Sequence, residues 1–217
     1  MVKADSNWKA HLRKRRRSTS KPLKKVSSSD QPRLTRCLAL DCEMVGVGSG
    51  GHRSALAHVV VVNELCETVY SNYVKPQEEV TDYRTRWSGV TAENLQNAVS
   101  FSQCQREVNS LISNRVVVGH DLQHDFRALG LSHPRSLIRD TAKYKYFQRG
   151  MPSTSTPKLQ MLAAKFLKLN IQSGEHDPAE DASAAMKLFL KFKKQWEGDL
   201  LKKSENSKTK KEEDPKS

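Results

Sequence analysis

Residues 38–44 read Leu38-Ala39-Leu40-Asp41-Cys42-Glu43-Met44, an apolar run interrupted by two acids two positions apart. Strand side chains repeat their direction every second residue, so in a strand Asp41 and Glu43 point the same way. Two carboxylates side by side among apolar neighbours lose hydration and repel each other, which is costly unless positive charge lies between them. A divalent metal ion meets that need. A strand end emerging into solvent is the alternative, and the triplet alone leaves it open.

The surroundings of this run give the fold class. Residues 37–45, 58–63 and 68–74 are β-rich and are separated first by Gly46, Gly48, Gly50 and Gly51, then by Asn63 and Glu64. That pattern predicts an antiparallel meander. Helical spacing follows over 91–112. Next comes Val116-Val117-Val118-Gly119, a strand buried on both faces. A helix over 121–129, a short strand over 137–140, a loop over 148–157 and a helix over 158–169 complete the alternation, the last with Leu159, Leu162, Ala163 and Phe166 on one face. The final helix has the clearest start: Asp177 caps it, Pro178 suits its first position, and Glu180 stands three residues after the cap. Its body is expected to run to about Trp196, burying Ala185, Phe189, Phe192 and Trp196 against the sheet. The whole predicts one α/β domain over 34–197, with a mixed five-stranded sheet flanked by helices.

The formal charge of +13 is unevenly distributed. Residues 1–33 carry 11 Lys/Arg against 2 Asp/Glu, residues 34–197 carry 20 against 17, and residues 198–217 carry 6 against 5. The basic excess is therefore a tail, with Arg13-Lys14-Arg15-Arg16-Arg17 in one block and serines after it, and both ends are expected to be disordered. Such a tail reads as a nuclear import signal or a phosphate-contacting arm, with a plain solubilising extension as the bland alternative. No apolar stretch reaches the ~18 residues of a membrane span and no apolar leader is visible, so membrane and secreted classes are not expected. Cys37, Cys42, Cys66 and Cys104 form no C-x-x-C pair; core packing with free thiols is expected.

Two further acids strengthen the metal reading. Asp125 lies on the helix directly after the buried strand, and Asp181 lies in the first turn of the capped helix. Mg²⁺ takes hard oxygen ligands, and phosphoryl transfer uses two such ions roughly 4 Å apart. Asp41, Glu43, Asp125 and Asp181, drawn from three separated elements, can supply them. His176 precedes the capped helix by two residues and belongs at the same mouth as Asp181. An imidazole titrates near neutrality and suits deprotonation of an attacking water.

These strings now form an ordered set: Leu40-Asp41-Cys42-Glu43-Met44-Val45-Gly46, Thr81-Asp82-Tyr83-Arg84-Thr85 with Trp87-Ser88-Gly89-Val90, Val118-Gly119-His120 with Asp125, Arg139-Asp140-Thr141, and His176-x4-Asp181. The set resembles the DEDDh 3′ to 5′ exonucleases, and within them the RNA exonuclease 4 branch, kin to the interferon-stimulated 20 kDa exonucleases. The likeness covers about residues 36–196. It implies a ribonuclease H-like fold, two Mg²⁺ or Mn²⁺ ions on Asp41, Glu43, Asp125 and Asp181, and His176 as general base. It also implies release of nucleoside 5′-monophosphates, nuclear or nucleolar residence, and ribosomal RNA processing, with RNA and pre-ribosomes as partners of a monomeric enzyme. From nucleotide-bound members it places Met44 against the terminal nucleoside and Arg84 near the substrate ribose or backbone. Core packing for Met44 and a surface charge for Arg84 stand beside those roles. The chain departs from the family pattern at His58, where Arg is usual, at Pro178-Ala179 and at Lys158.

Other residues receive plainer readings. His120 and His124 have helical spacing but no third soft ligand for zinc, Asp140 is expected to accept hydrogen bonds at a strand end, and Trp87 is assigned to packing. Two alternative functions remain: a DNA exonuclease on the same fold, acting on single-stranded DNA, and a noncatalytic RNA-binding assembly factor. The intact set of five argues against the second, since a scaffold gains nothing from clustered, repelling acids.

Overall fold

The apolar run around Asp41 forms β1 (Cys37–Val47), at the centre of the sheet in a computed structural model. The structure describes residues 32–149, 156–172 and 176–212, with side chains to residue 205. The basic tail therefore lies, except for Pro32 and Arg33, outside the described residues.

β2 (Arg53–Val62) pairs antiparallel with β1, and β3 (Thr68–Lys75) antiparallel with β2, which is the expected meander. β6 (Val116–Gly119) runs parallel to β1, and β7 (Ile138–Asp140) parallel to β6. These are the five expected strands of a mixed sheet. Two short ones add to them: β4 (Val80–Asp82) beside the end of β1, and β5 (Val99–Ser100) beside β3, in the order β5-β3-β2-β1-β6-β7. At two or three residues, neither carries an alternation that could be read from sequence.

Alternation along β1 divides the core. Leu38, Leu40 and Cys42 pack with Val59, Val61 and Val117 under α2 (Phe101–Ile112) and α3 (Gln123–Leu129). Cys37 and Ala39 pack with Val60, Val62, Val116 and Val118 under α6 (Pro178–Glu212), whose Ala185, Phe189 and Trp196 are buried there as expected. Asp41 and Glu43 continue the second row, so they face α6 just beyond the three residues of β1 that pair with β6. Between Glu43 and Met44 the register slips: Glu43 stands opposite His58 and Met44 opposite Leu56, leaving Ala57 as a bulge. Gly119 ends β6 where there is no room for a side chain, because a Cβ there would lie 2.4 Å from Leu122 and 2.9 Å from the Leu40 carbonyl oxygen. That close approach brings α3 against β1.

Several boundaries differ from expectation. The helix expected over 91–112 begins only at Phe101, where the Ser100 hydroxyl caps it by accepting from the Gln103 N–H at 3.2 Å. Residues 91–98 are mostly turns, since Asn94 accepts from both the Thr91 N–H and its hydroxyl and offers the backbone a rival to helix. α1 (Thr85–Ser88) and α4 (Lys145–Arg149) are too short to show a period, and α4 takes the start of the loop expected from Gln148. The helix expected over 158–169 is a single turn, α5 (Leu159–Leu162), continued by a wider π turn to Leu167 and closed by Lys168 in left-handed conformation.

The largest correction concerns α6. It does not stop near Trp196 but continues to Glu212, so the segment 198–212, expected to be disordered from its charge, is helical. Its Leu, Lys and Glu residues are strong helix formers, and no proline intervenes before Pro215. Side chains also hold the helix where it leaves the sheet. Arg139 donates twice to Glu197, both at 2.8 Å, and the Tyr144 hydroxyl donates to Asp199 at 2.9 Å. No described helix is long and apolar enough to cross a membrane. All four cysteines are free; Cys37, Cys42 and Cys104 are buried, and Cys66 is half-buried.

Candidate active site

The four acids meet where the pattern requires. Asp41 and Glu43 project from β1, Asp125 reaches in from α3, and Asp181 sits in the first turn of α6. The Asp177 carboxylate caps α6 by accepting from the Ala179 N–H at 2.9 Å. Glu180 does not complete a capping box; it accepts from the Gln172 N–H at 3.1 Å and fastens the preceding loop instead. Glu43, Asp125 and Asp181 are each less than a tenth exposed.

Burial and mutual repulsion act on the acids together. Burial, then the charges of Asp125, Asp181, Glu43 and Asp177, hold Asp41 well above the usual carboxylate range. Burial and then Asp181, Asp125 and Asp177 push Glu43 up to about 8, so each neighbouring charge acting on it is another carboxylate. Asp125 is pushed up to about 7, chiefly by burial and against the hydrogen bond it receives from the Cys42 thiol. Asp181 is raised by burial despite a hydrogen bond from Gln172 and the nearby His176.

Asp181 also provides the test of fit for a cation. Its Oδ2 accepts from Gln172 Nε2 at 2.6 Å, whereas its Oδ1 is buried without any hydrogen-bond partner. An orphaned carboxylate oxygen is expensive in a protein interior. Among the described residues no three His, Cys, Asp or Glu side chains form a ready-made cage, so the acids are neighbours rather than a closed ligand shell. Hard oxygen donors, mutual repulsion and an unpaired Oδ1 fit hard divalent ions such as Mg²⁺ or Mn²⁺.

His176 stands at the mouth, with its Nδ1 3.7 Å from Asp181 Oδ2 and a third of its side chain exposed. Its backbone N–H donates to the Trp87 carbonyl at 3.2 Å. Met44 is half-buried against the Leu38-Leu40-Cys42 cluster, on the opposite face of β1 from Asp41 and Glu43. Arg84 has left-handed backbone, and its guanidinium donates to Ser54 Oγ and the Gly51 carbonyl, both at 2.8 Å, which ties α1 to the β1–β2 turn. Trp87 is not packed: it is 60% exposed, a correction that arises because α1 is one turn long and carries the indole outward. Asp140 accepts from the Asp121 and Ala142 N–H groups, as expected at a strand end. His120 bonds Thr141 Oγ1 at 2.8 Å, and His124 Nε2 lies 3.2 Å from Asp121 Oδ2. Sequence reasoning missed Gln172, which holds Asp181, and the electrostatic part of Asp177. Gln172 follows no spacing rule and reaches the site only through the fold.

The Exonuclease (RNase_T) family profile matches residues 38–189, and the chain belongs to this family. Human RNA exonuclease 4 is 48% identical over 164 residues, covering 76% of this chain and 39% of the relative. RNA exonuclease 4 of Debaryomyces hansenii is 49% identical over 160 residues, covering 74% of this chain and 58% of the relative. The chain thus spans roughly two-fifths to three-fifths of the length of these relatives. Among solved structures, the Saccharomyces cerevisiae Pan2 pseudoubiquitin hydrolase-RNA exonuclease module in complex with A7 RNA superposes with a TM-score of 0.66 at 29% identity, over 86% of this chain and 33% of that one. The architecture is the ribonuclease H-like one shared with these exonuclease domains.

The raised carboxylates set a sign for stability. Glu43 holds its proton up to about pH 8 when folded, against its ordinary 4.5, so without metal the folded state binds more protons than the unfolded chain across that window. The contribution of Glu43 to the stability of the metal-free protein then falls as pH rises from about 4.5 to 8. Glu43→Gln should raise the melting temperature in EDTA at pH 8 by several degrees, for roughly 1–2 kcal/mol of relieved repulsion, and change little at pH 5. Thermal melts at the two pH values read this directly; an equal shift at both would remove the ionised carboxylate as the cause.

Proposed function

We propose that the chain is a divalent-metal-dependent 3′ to 5′ exoribonuclease that releases nucleoside 5′-monophosphates, working in the nucleus or nucleolus on ribosomal RNA precursors. The observation that carries the chemistry is a set of four acids from three elements with raised pKa values, one of which, Asp181, keeps a buried oxygen unpaired. Kinship with RNA exonuclease 4 proteins and with an RNA-bound Pan2 module supports RNA as the substrate.

Asp41, Glu43, Asp125 and Asp181 would hold two Mg²⁺ or Mn²⁺ ions, which when bound supply charge neutralisation at the phosphate and a more acidic water. The protein's own groups do the rest. His176, open to solvent, accepts the proton of the attacking water, and Asp181 at 3.7 Å stabilises the imidazolium that forms. Gln172 keeps Asp181 in place with its 2.6 Å bond. Burial of the acids under α6 lowers the local dielectric and strengthens each of these interactions.

Purified protein incubated with 5′-labelled single-stranded RNA or DNA of one sequence, with Mg²⁺ or EDTA, tests the reading. RNA should shorten stepwise from its 3′ end only with metal, and faster than DNA. Faster loss of DNA makes the chain a deoxyribonuclease, and no cleavage of either makes it a binding protein. A chain beginning at Pro32 should cleave equally well at saturation and spread from nucleus to cytoplasm. Its salt slope for RNA binding should be smaller by roughly 0.7 for each phosphate that the tail neutralises. An unchanged slope and unchanged nuclear concentration would leave the tail neither role.

A further inference from the structure

We propose that the exposed indole of Trp87 is a stacking platform for a nucleobase of the single-stranded RNA entering the carboxylate site, an inference that rests on the exoribonuclease reading above. Tryptophan has more to gain from burial than almost any residue, and the same domain packs Trp196 to 4% exposure against Tyr144 at 3.9 Å. Trp87, by contrast, leaves 60% of its surface to solvent.

The exposure does not come from a loose segment. Ser88 Oγ donates to the Tyr83 carbonyl at 2.8 Å and accepts from the Val90 N–H at 3.1 Å, while Thr85 Oγ1 donates to the Val90 carbonyl at 2.7 Å. Arg84 fastens the start of α1 to Gly51 and Ser54. An aromatic held outward on a braced turn is preorganised to receive a flat partner.

Its position identifies that partner. The His176 N–H bonds the Trp87 carbonyl at 3.2 Å, and a Cβ on Gly89 would lie 3.3 Å from the His176 carbonyl oxygen, so the Trp87 turn lies directly against the backbone of His176. The turn that carries the exposed indole therefore lies against the residue whose imidazole opens to solvent. Arg86, also exposed, has its guanidinium 5.8 Å from the ring centroid, which places a cation for a phosphate beside a surface for a base. Single-stranded nucleic acid presents both at one-nucleotide spacing, and aromatic stacking accepts any base. Duplex RNA keeps its base faces stacked away.

The test uses the full chain in an inactive Asp125→Asn background, titrated with a fluorescent single-stranded RNA 12-mer. Trp87→Ala should raise Kd roughly ten-fold or more, whereas Trp87→Phe, which keeps a stacking face, should stay within about three-fold. The salt slope should not change, because no charge is removed. In the active chain Trp87→Ala should raise KM by a similar factor, with a much smaller fall in kcat and an unaltered melting temperature. Parent-like Kd and KM in Trp87→Ala would overturn the proposal and leave the indole to a protein partner. A fall in kcat alone would likewise overturn it, making the turn a support for His176. If the parent neither binds nor cleaves RNA, the exoribonuclease reading fails first and this inference with it.

Discussion

Asp41→Ala and Asp125→Ala are each expected to lower RNA hydrolysis by at least about 10³-fold while the domain stays folded, because each would take an oxygen donor from the proposed metal site. The two differ in what they leave behind. Asp41 receives its largest upward push from burial and then from other carboxylates, so its removal relieves strain, and the metal-free melting temperature should hold or rise. Asp125 accepts from the Cys42 thiol, and alanine there leaves a buried donor without its partner, which offsets the relief by roughly 1 kcal/mol. Asp125→Asn keeps an acceptor for the thiol and separates loss of a ligand from loss of packing. Turnover in Mg²⁺ and thermal melts in EDTA decide the matter together. Near-parental turnover from any of these variants would end the assignment of that residue as a metal ligand.

The placement of the candidate acids is more legible in the sequence than the boundaries of the elements around them, for a physical reason. An acid pair in an apolar strand is improbable unless it is used, and period-two geometry assigns both carboxylates to one face, where β1 indeed carries them. The caps and stripe of α6 can be read in the same way, since Asp177, Pro178, Ala185, Phe189 and Trp196 act through neighbours one to four residues apart. What cannot be read depends on distant partners. The end of α6 turns on Arg139 and Tyr144 holding Glu197 and Asp199, and charge composition alone suggests disorder there. The late start of α2 rests on Asn94 and Ser100 competing for the backbone. Gln172 and the bulge at Ala57 have no local signature at all. Trp87 escapes sequence reasoning because an aromatic is buried in most contexts, and only the shortness of α1 turns this one outward.

His176→Ala is expected to lower the rate by roughly 10² to 10⁴-fold, the usual range for losing a general base, with little change in metal affinity. The backbone supports this separation: the bond that places the residue runs from its N–H to the Trp87 carbonyl, and alanine keeps it. The imidazole Nδ1 approaches the oxygen of Asp181 already bonded to Gln172, not the unpaired Oδ1, so truncation leaves the orphaned oxygen as it was. The pH profile distinguishes the roles. A base works only when deprotonated, so the parent's rate should show an acid limb that the variant loses. Ionisation of Glu43 and Asp125 also favours metal binding as pH rises, so the profiles must be taken at saturating Mg²⁺, where that contribution is removed. Under those conditions a variant that keeps the acid limb but needs far more Mg²⁺ would make His176 a group that steadies Asp181, and the proton would have to leave by another route.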